Sequence, residues 1–156
     1  MRSVTATGRL ICSVGFLVFV GKASPTHAQL GVGTTWVRTD AQGKGITMSL
    51  SVCCSGGLRY VYQIPATGNQ PAVTMTVDSP MDGTEVPALI GGKPSGQTMA
   101  ITRVDAHHYS AIVKMHGKPF GTSNGTVSAD EKTLTVESVY QGGGQVIKTT
   151  ETWVRK

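Results

Sequence analysis

Apolar and polar side chains trade places at every step along much of this chain, and that period of two limits the fold more than any other feature. Ile46, Met48, Leu50 and Val52 are separated by Thr47, Ser49 and Ser51. Successive side chains leave a strand on opposite faces, so this run predicts a strand with one buried face. The pattern returns in Leu58, Tyr60, Tyr62 and Ile64, with Val61 as its one departure, and in Val73, Met75 and Val77. It returns again in Tyr109, Ala111, Val113 and Met115, and in Leu134 and Val136.

Turn chemistry separates these runs: Ser55-Gly56-Gly57, Pro65 to Pro71, Asp82-Gly83, Gly91 to Gly96, His116-Gly117-Lys118-Pro119, Ala129 to Lys132 and Gly142-Gly143-Gly144. Glycine and Asx residues accept the backbone conformations that tight reversals need, and proline fixes φ for them. Helical periodicity is confined to a short turn expected near Pro87 to Ile90. The spacing predicts an all-β fold, an antiparallel up-and-down meander of about eight strands closed into a barrel, with a two-sheet sandwich as the other solution. A chain of 156 residues holds one domain with a real core.

The first residues carry a different signal. Arg2 and Arg9 supply a positive region, Leu10 to Val20 an apolar stretch, and Thr26-His27-Ala28 a small-residue cleavage site, the three parts of a secretory signal peptide. The apolar stretch is shorter than the roughly 20 residues that a hydrocarbon core demands. Residues 1–28 are therefore expected to be removed and residues 29–156 to form a single exported domain, secreted or periplasmic, without stable membrane insertion. Of 14 Lys and Arg, Arg2, Arg9 and Lys22 lie in this segment and all nine acids lie beyond it, which leaves 11 against nine, a balance of +2. Without a basic patch interleaved with aromatics, nucleic acid is excluded as a partner.

Two cysteines, Cys53 and Cys54, follow the signal segment, and they are adjacent. Consecutive Cα atoms lie about 3.8 Å apart, inside the roughly 4.4 Å lower limit of ordinary disulfides. A bond between them is therefore disfavoured. Strand parity turns Cys54 inward after Val52 and Cys53 outward. An outward thiol in an oxidising compartment predicts either an intermolecular disulfide through Cys53, giving a homodimer, or a free or mixed-disulfide thiol.

The stretches MDGTEVP, ITRVDAHHYSAIVKMHGKPFG and VSADEKTLTVES, with the closing TWVRK, resemble a widespread group of small exported bacterial proteins with a lipocalin-like, calycin-type β-barrel. The resemblance covers roughly Gly33 to Lys156 and rests on turn and strand motifs, so it implies a fold and no common chemistry. It implies that a Gly-Thr-Trp-like strand opens the domain and that a Trp–Arg stack, here Trp36 with Arg155, closes the barrel floor; the opening Gly33-Thr34-Thr35-Trp36 is one residue longer than that pattern, a departure that bears on the stack. It also marks a departure, Glu131 where a hairpin glycine is usual, which implies a different turn there.

The residues that carry chemistry do not converge in sequence. His108 and His116 are on one strand face but roughly 26 Å apart at strand rise, and His107 and His108 point apart. Zinc sites need three or four converging ligands, so no metal is expected. Asp105, His108 and Ser110 lack the neighbouring oxyanion donors and the Gly-x-Ser-x-Gly elbow of a hydrolase. Asp78, Asp82 and Glu85 do not have EF-hand spacing, and Asp-Gly is itself a hairpin signal. The glycines of GVG and GGGQVIK precede no helix that could cradle phosphate.

Neither catalysis nor a cofactor is therefore expected. The first functional expectation is a binding barrel whose interior, formed by Met48, Leu50, Tyr60, Tyr62, Met75, Val77, Val113 and Met115, takes a small apolar ligand. The second is a filled barrel acting as a structural or protein-interaction module of the cell envelope through the loops Pro65 to Pro71 and Pro87 to Gly96.

Overall fold

The alternating runs form ten antiparallel strands that close on themselves. They are β1 (Thr35–Arg38), β2 (Thr47–Cys53), β3 (Gly57–Ile64), β4 (Val73–Ser79), β5 (Asp82–Ile90), β6 (Lys93–Arg103), β7 (His108–Met115), β8 (Lys118–Val127), β9 (Thr133–Gly142) and β10 (Gln145–Arg155). Each pairs with its neighbours in sequence, and β1 pairs with β10 to seal the barrel. The computed structural model describes residues 30–156; the signal segment expected over 1–28 lies outside the described residues.

Ten strands stand where about eight were expected, and the difference lies in three turn assignments. Asp82 and Gly83 begin β5 rather than turning the chain. The reversal falls one step earlier, at Met81, whose φ is +67°. Pro87 to Ile90 is not a helical turn but the end of β5, with Pro87 beside a register shift where a missing N–H is tolerated. The expected loop Pro87 to Gly96 is consequently a hairpin that reverses at Gly91-Gly92 alone, both residues at positive φ. The pairs His116-Gly117 and Gly143-Gly144 make turns of the same kind, whose handedness matches strand twist.

One end of the barrel is filled. Trp36 is fully buried, and its indole N–H donates to the Leu30 carbonyl at 2.7 Å, which ties residues 30–34 across the base. Leu50, Leu58, Val77, Met81, Tyr109, Val127 and Leu134 pack around this plug. Trp36 and Arg155 are cross-strand partners in the β1–β10 register. Arg155 lies over Gly31 and reaches Glu131, which holds the left-handed conformation a glycine would otherwise take. Gly57 is needed here for close approach: a Cβ on it would lie 2.2 Å from the Ser79 carbonyl oxygen.

Below this end hangs the turn Cys54–Gly56 between β2 and β3, and there the structure corrects the cysteine reading. Cys53 and Cys54 are bonded to each other, so the sulfur expected to reach a second chain is occupied. Three successive positive φ values, at Cys54, Ser55 and Gly56, curl the turn enough to bring adjacent sulfurs together. The burial order is also reversed. Val52 is 62% exposed and Cys54 is exposed, while Cys53 is half-buried, because β2 overshoots the packed floor before it turns.

Candidate functional site

Above the plug the interior is hollow. A cavity of about 260 Å³ extends from Leu30 and Tyr60 to a rim formed by Arg38, Ile64, Gln97 and Tyr140. Its existence follows from unequal side-chain size on opposite walls. The wall of β2, β3 and β4 contributes the long side chains of Met48, Tyr62 and Met75, while the facing wall of β8 and β9 sets the small Ser123, Gly125 and Ser138 among Leu134, Val136 and Tyr140. Strand parity puts all of them inward, and the three small positions leave unfilled space opposite the long side chains.

Of the eight interior residues expected from the sequence, Met48, Tyr60, Tyr62, Met75 and Val113 line this cavity. Leu50 and Val77 are buried in the filled half and do not reach it, and Met115 stands half-buried near the rim, outside the lining. Parity gives the face of a residue but not its height along the barrel.

Three aromatic rings form one side. Tyr60 and Tyr62, two apart on β3, are stacked with centroids 6.4 Å apart, and Trp153 meets Tyr62 edge-on at 6.0 Å. The Tyr60 hydroxyl points down and donates to the Met81 sulfur at 3.1 Å. Burial raises the pKa of both tyrosines, and the nearby Glu151 carboxylate raises that of Tyr62 further. Both rings therefore stay neutral and act as apolar surface with a hydroxyl tip.

Charged groups at the rim were not foreseen. Arg38 of β1 sits between two carboxylates: its Nε and Nη2 bond Asp40 at 2.6 and 3.1 Å, and its Nη1 lies 3.1 Å from Glu151. Glu151 also accepts the Trp153 indole N–H at 3.0 Å. Asp40, on the connection between β1 and β2, accepts backbone N–H groups of Gln42, Gly43 and Thr152 as well. The Arg38 hydrogen bond is the main reason its pKa falls from 3.8 to about 2. The sequence holds a signal for this group in retrospect: Arg38 is two residues from Trp36, and Glu151 two from Trp153, so each charge shares an inward face with a tryptophan.

The other residues singled out by type are dispersed. Asp105 accepts the N–H groups of His107 and His108, both at 2.8 Å, and touches His108 Nδ1, forming a turn cap between β6 and β7. His116 occupies a turn at the opposite end of the barrel. Asp78 pairs with Arg59, Asp82 caps Thr84, and Glu85 binds Thr98 and Lys114. Among the described residues no three His, Cys, Asp or Glu side chains are grouped to hold a metal ion, and no helix is long and apolar enough to cross a membrane.

Fold and site together define a ten-stranded closed β-barrel with one filled end and one interior chamber. Comparison with protein-family models, with curated proteins and with solved structures gives no match.

Proposed function

We propose that this chain is an exported, non-catalytic binding protein of lipocalin-like, calycin-type architecture, which takes a small apolar ligand into its barrel. The observation that carries this reading is the chamber of about 260 Å³ walled by methionines, tyrosines and aliphatic side chains. That volume is several times the roughly 30 Å³ share of one water and approaches the roughly 300 Å³ at which ligand pockets begin. An apolar chamber gains little from water, because water needs two or more polar partners to settle. An apolar guest recovers the dispersion contacts that the wall residues lack.

The second reading, a module acting through its outer surface, has one specific observation in its favour. Ile112, Val139 and Val146 form an exposed apolar strip on the outside of β7, β9 and β10. It has lost one of its two expected loops, since residues 87–96 form a hairpin.

Titration of N-phenyl-1-naphthylamine, an uncharged apolar fluorophore, tests the first reading. Wild type is expected to bind it with a blue shift and enhanced emission. Gly125→Leu is expected to weaken binding by at least about tenfold, since a side chain at Gly125 would project between the walls and a guest of that size needs the whole volume. Equal binding by the two proteins, or none by either, would remove the chamber as the site and leave the outer strip as the functional surface.

A further inference from the structure

We propose that the chamber prefers apolar guests carrying a cationic amine head over guests of equal length carrying a carboxylate. This rests on the binding reading above and goes on to name the chemistry of the ligand. The charged side chains that line the chamber, Arg38 and Glu151, stand at its rim, where one guanidinium faces two carboxylates. Arg38 is the cation in the lining that an acidic head would seek, Arg103 lying outside the lining beside Tyr60 and Tyr109, yet the Arg38 Nε and Nη2 are held by Asp40 and its Nη1 by Glu151. Its charge is compensated before any guest arrives. The sum over the group is negative, and a carboxylate entering it would meet net repulsion.

The same group suits an amine. Glu151 lines the chamber, and a carboxylate offers about four lone-pair positions. Arg38 and Trp153 take two of them, so the oxygens can still accept from an ammonium group. Beside Glu151 stand Trp153 and Tyr62 in edge contact, with Tyr140 also on the chamber wall. Aromatic faces attract cations through their ring quadrupole, more strongly where water is displaced. The thioethers of Met48, Met75 and Met99 complete an apolar sleeve for the hydrocarbon part.

Lysines at this end set a competing field. Lys44, Lys93, Lys118 and Lys148 are exposed and none lines the chamber, so their charge acts through water and is screened within a Debye length of about 10 Å at ordinary salt. The half-buried carboxylates are screened less. Near contact with the head group they outweigh the lysines.

Displacement of N-phenyl-1-naphthylamine by octylamine, octanol and octanoate near neutral pH, where the first is a cation and the last an anion, tests the preference. Octylamine is expected to displace most tightly and octanoate least, with about a tenfold gap between them, the size one charge-assisted or cation–π contact provides. Glu151→Gln keeps an acceptor for the Trp153 N–H and removes the charge, and is expected to shrink that gap to about twofold or reverse it. Should that variant fold poorly, Asp40→Asn also neutralises the rim from outside the lining and is expected to narrow the gap in the same direction. Equal displacement by all three compounds, or tightest displacement by octanoate, would overturn the head-group preference while leaving the chamber as a binding site. A wild-type protein that does not bind the fluorophore at all would overturn both.

Discussion

The two halves of this barrel are built from the same strands and the same alternation, yet one is solid and the other hollow. In the filled half the inward positions are Trp36, Leu50, Leu58, Val77 and Val127, all buried, and residues 30–34 cross the base beneath them. In the hollow half the strands opposite Met48, Tyr62 and Met75 turn Ser123, Gly125 and Ser138 inward. Closure of the sheet and filling of its interior are thus separate properties. The first needs only continuous pairing; the second depends on summed side-chain volume at each height.

The comparison predicts unequal costs for truncation. Trp36→Ala in the filled half removes a fully buried indole and leaves the Leu30 carbonyl only its Thr34 hydroxyl donor, and is expected to cost about 3–5 kcal/mol. Met75→Ala in the wall of the chamber is expected to cost about 1–2 kcal/mol, less than the usual core value because one flank of that side chain already meets empty space. Urea unfolding of both variants decides the matter. Equal losses would mean that the chamber wall is packed as tightly as the floor.

At the rim, stability depends on charge instead of volume. Asp40 has an ordinary carboxylate pKa in the unfolded chain and one near 2 when folded, lowered chiefly by Arg38. A depressed pKa stabilises the fold at all pH values above the unfolded one, and that contribution disappears as pH falls from about 4 through about 2. Allowing for solvent screening, its size is about 1 kcal/mol. Other carboxylates of the barrel titrate over the same range, so the informative quantity is the difference between wild type and Asp40→Asn. Wild type should be the more stable near neutrality, with the two melting temperatures converging as pH falls through about 2. A constant difference across that window would show that Asp40 acts through its geometry alone.

Legibility followed the wall and not the half: the strands that carry large inward side chains were the readable ones. Strands β2, β3, β4, β7 and β9 announce themselves because their inward positions carry Met, Leu, Tyr and Val against polar outward neighbours. Strands β8 and β10 do not, since their inward positions include Ser123, Gly125, Thr149 and Glu151, and a small or charged inward residue erases the contrast on which alternation depends. The residues that hollow the barrel are thus the ones that hide its strands. Arg38 and Glu151 were invisible for the same reason: a charge is taken as outward until an opposite charge is found beside it, and their partnership spans most of the chain.

Beneath the floor, the cysteine turn sharpens the contrast from another side. A bond between neighbours in sequence closes almost no loop, so in the chain-entropy account it restricts the unfolded state little, by about 1 kcal/mol. The double variant Cys53→Ser with Cys54→Ser is therefore expected to lose about 1 kcal/mol or less in urea unfolding, since the packed floor, and not the bond, holds this end together. Wild type is expected to migrate as a single chain with or without reductant, both sulfurs being engaged within the turn. A dimer band lost on reduction would restore Cys53 to the intermolecular role first read from its strand parity.

The smallest change in stability is expected where the binding effect is largest. A Cβ built on Gly125 would lie 3.4 Å from Leu134 and 3.8 Å from Tyr109, ordinary contact distances, with no strained backbone to oppose it. The rest of a leucine side chain would then occupy space that is empty in the native barrel. Replacing a strand-interior glycine recovers backbone entropy, and burying new apolar surface without displacing a neighbour adds to it. Gly125→Leu is accordingly expected to leave stability unchanged or raise it by about 0.5–1 kcal/mol, while fluorophore binding weakens by at least about tenfold. In the filled half the same kind of enlargement at Gly57 would drive a Cβ into the Ser79 carbonyl and unfold the hairpin end. If Gly125→Leu instead destabilises the barrel by as much as an overpacked core position does, the space between the two walls is not free for a guest, and the distinction between a solid half and a hollow one fails.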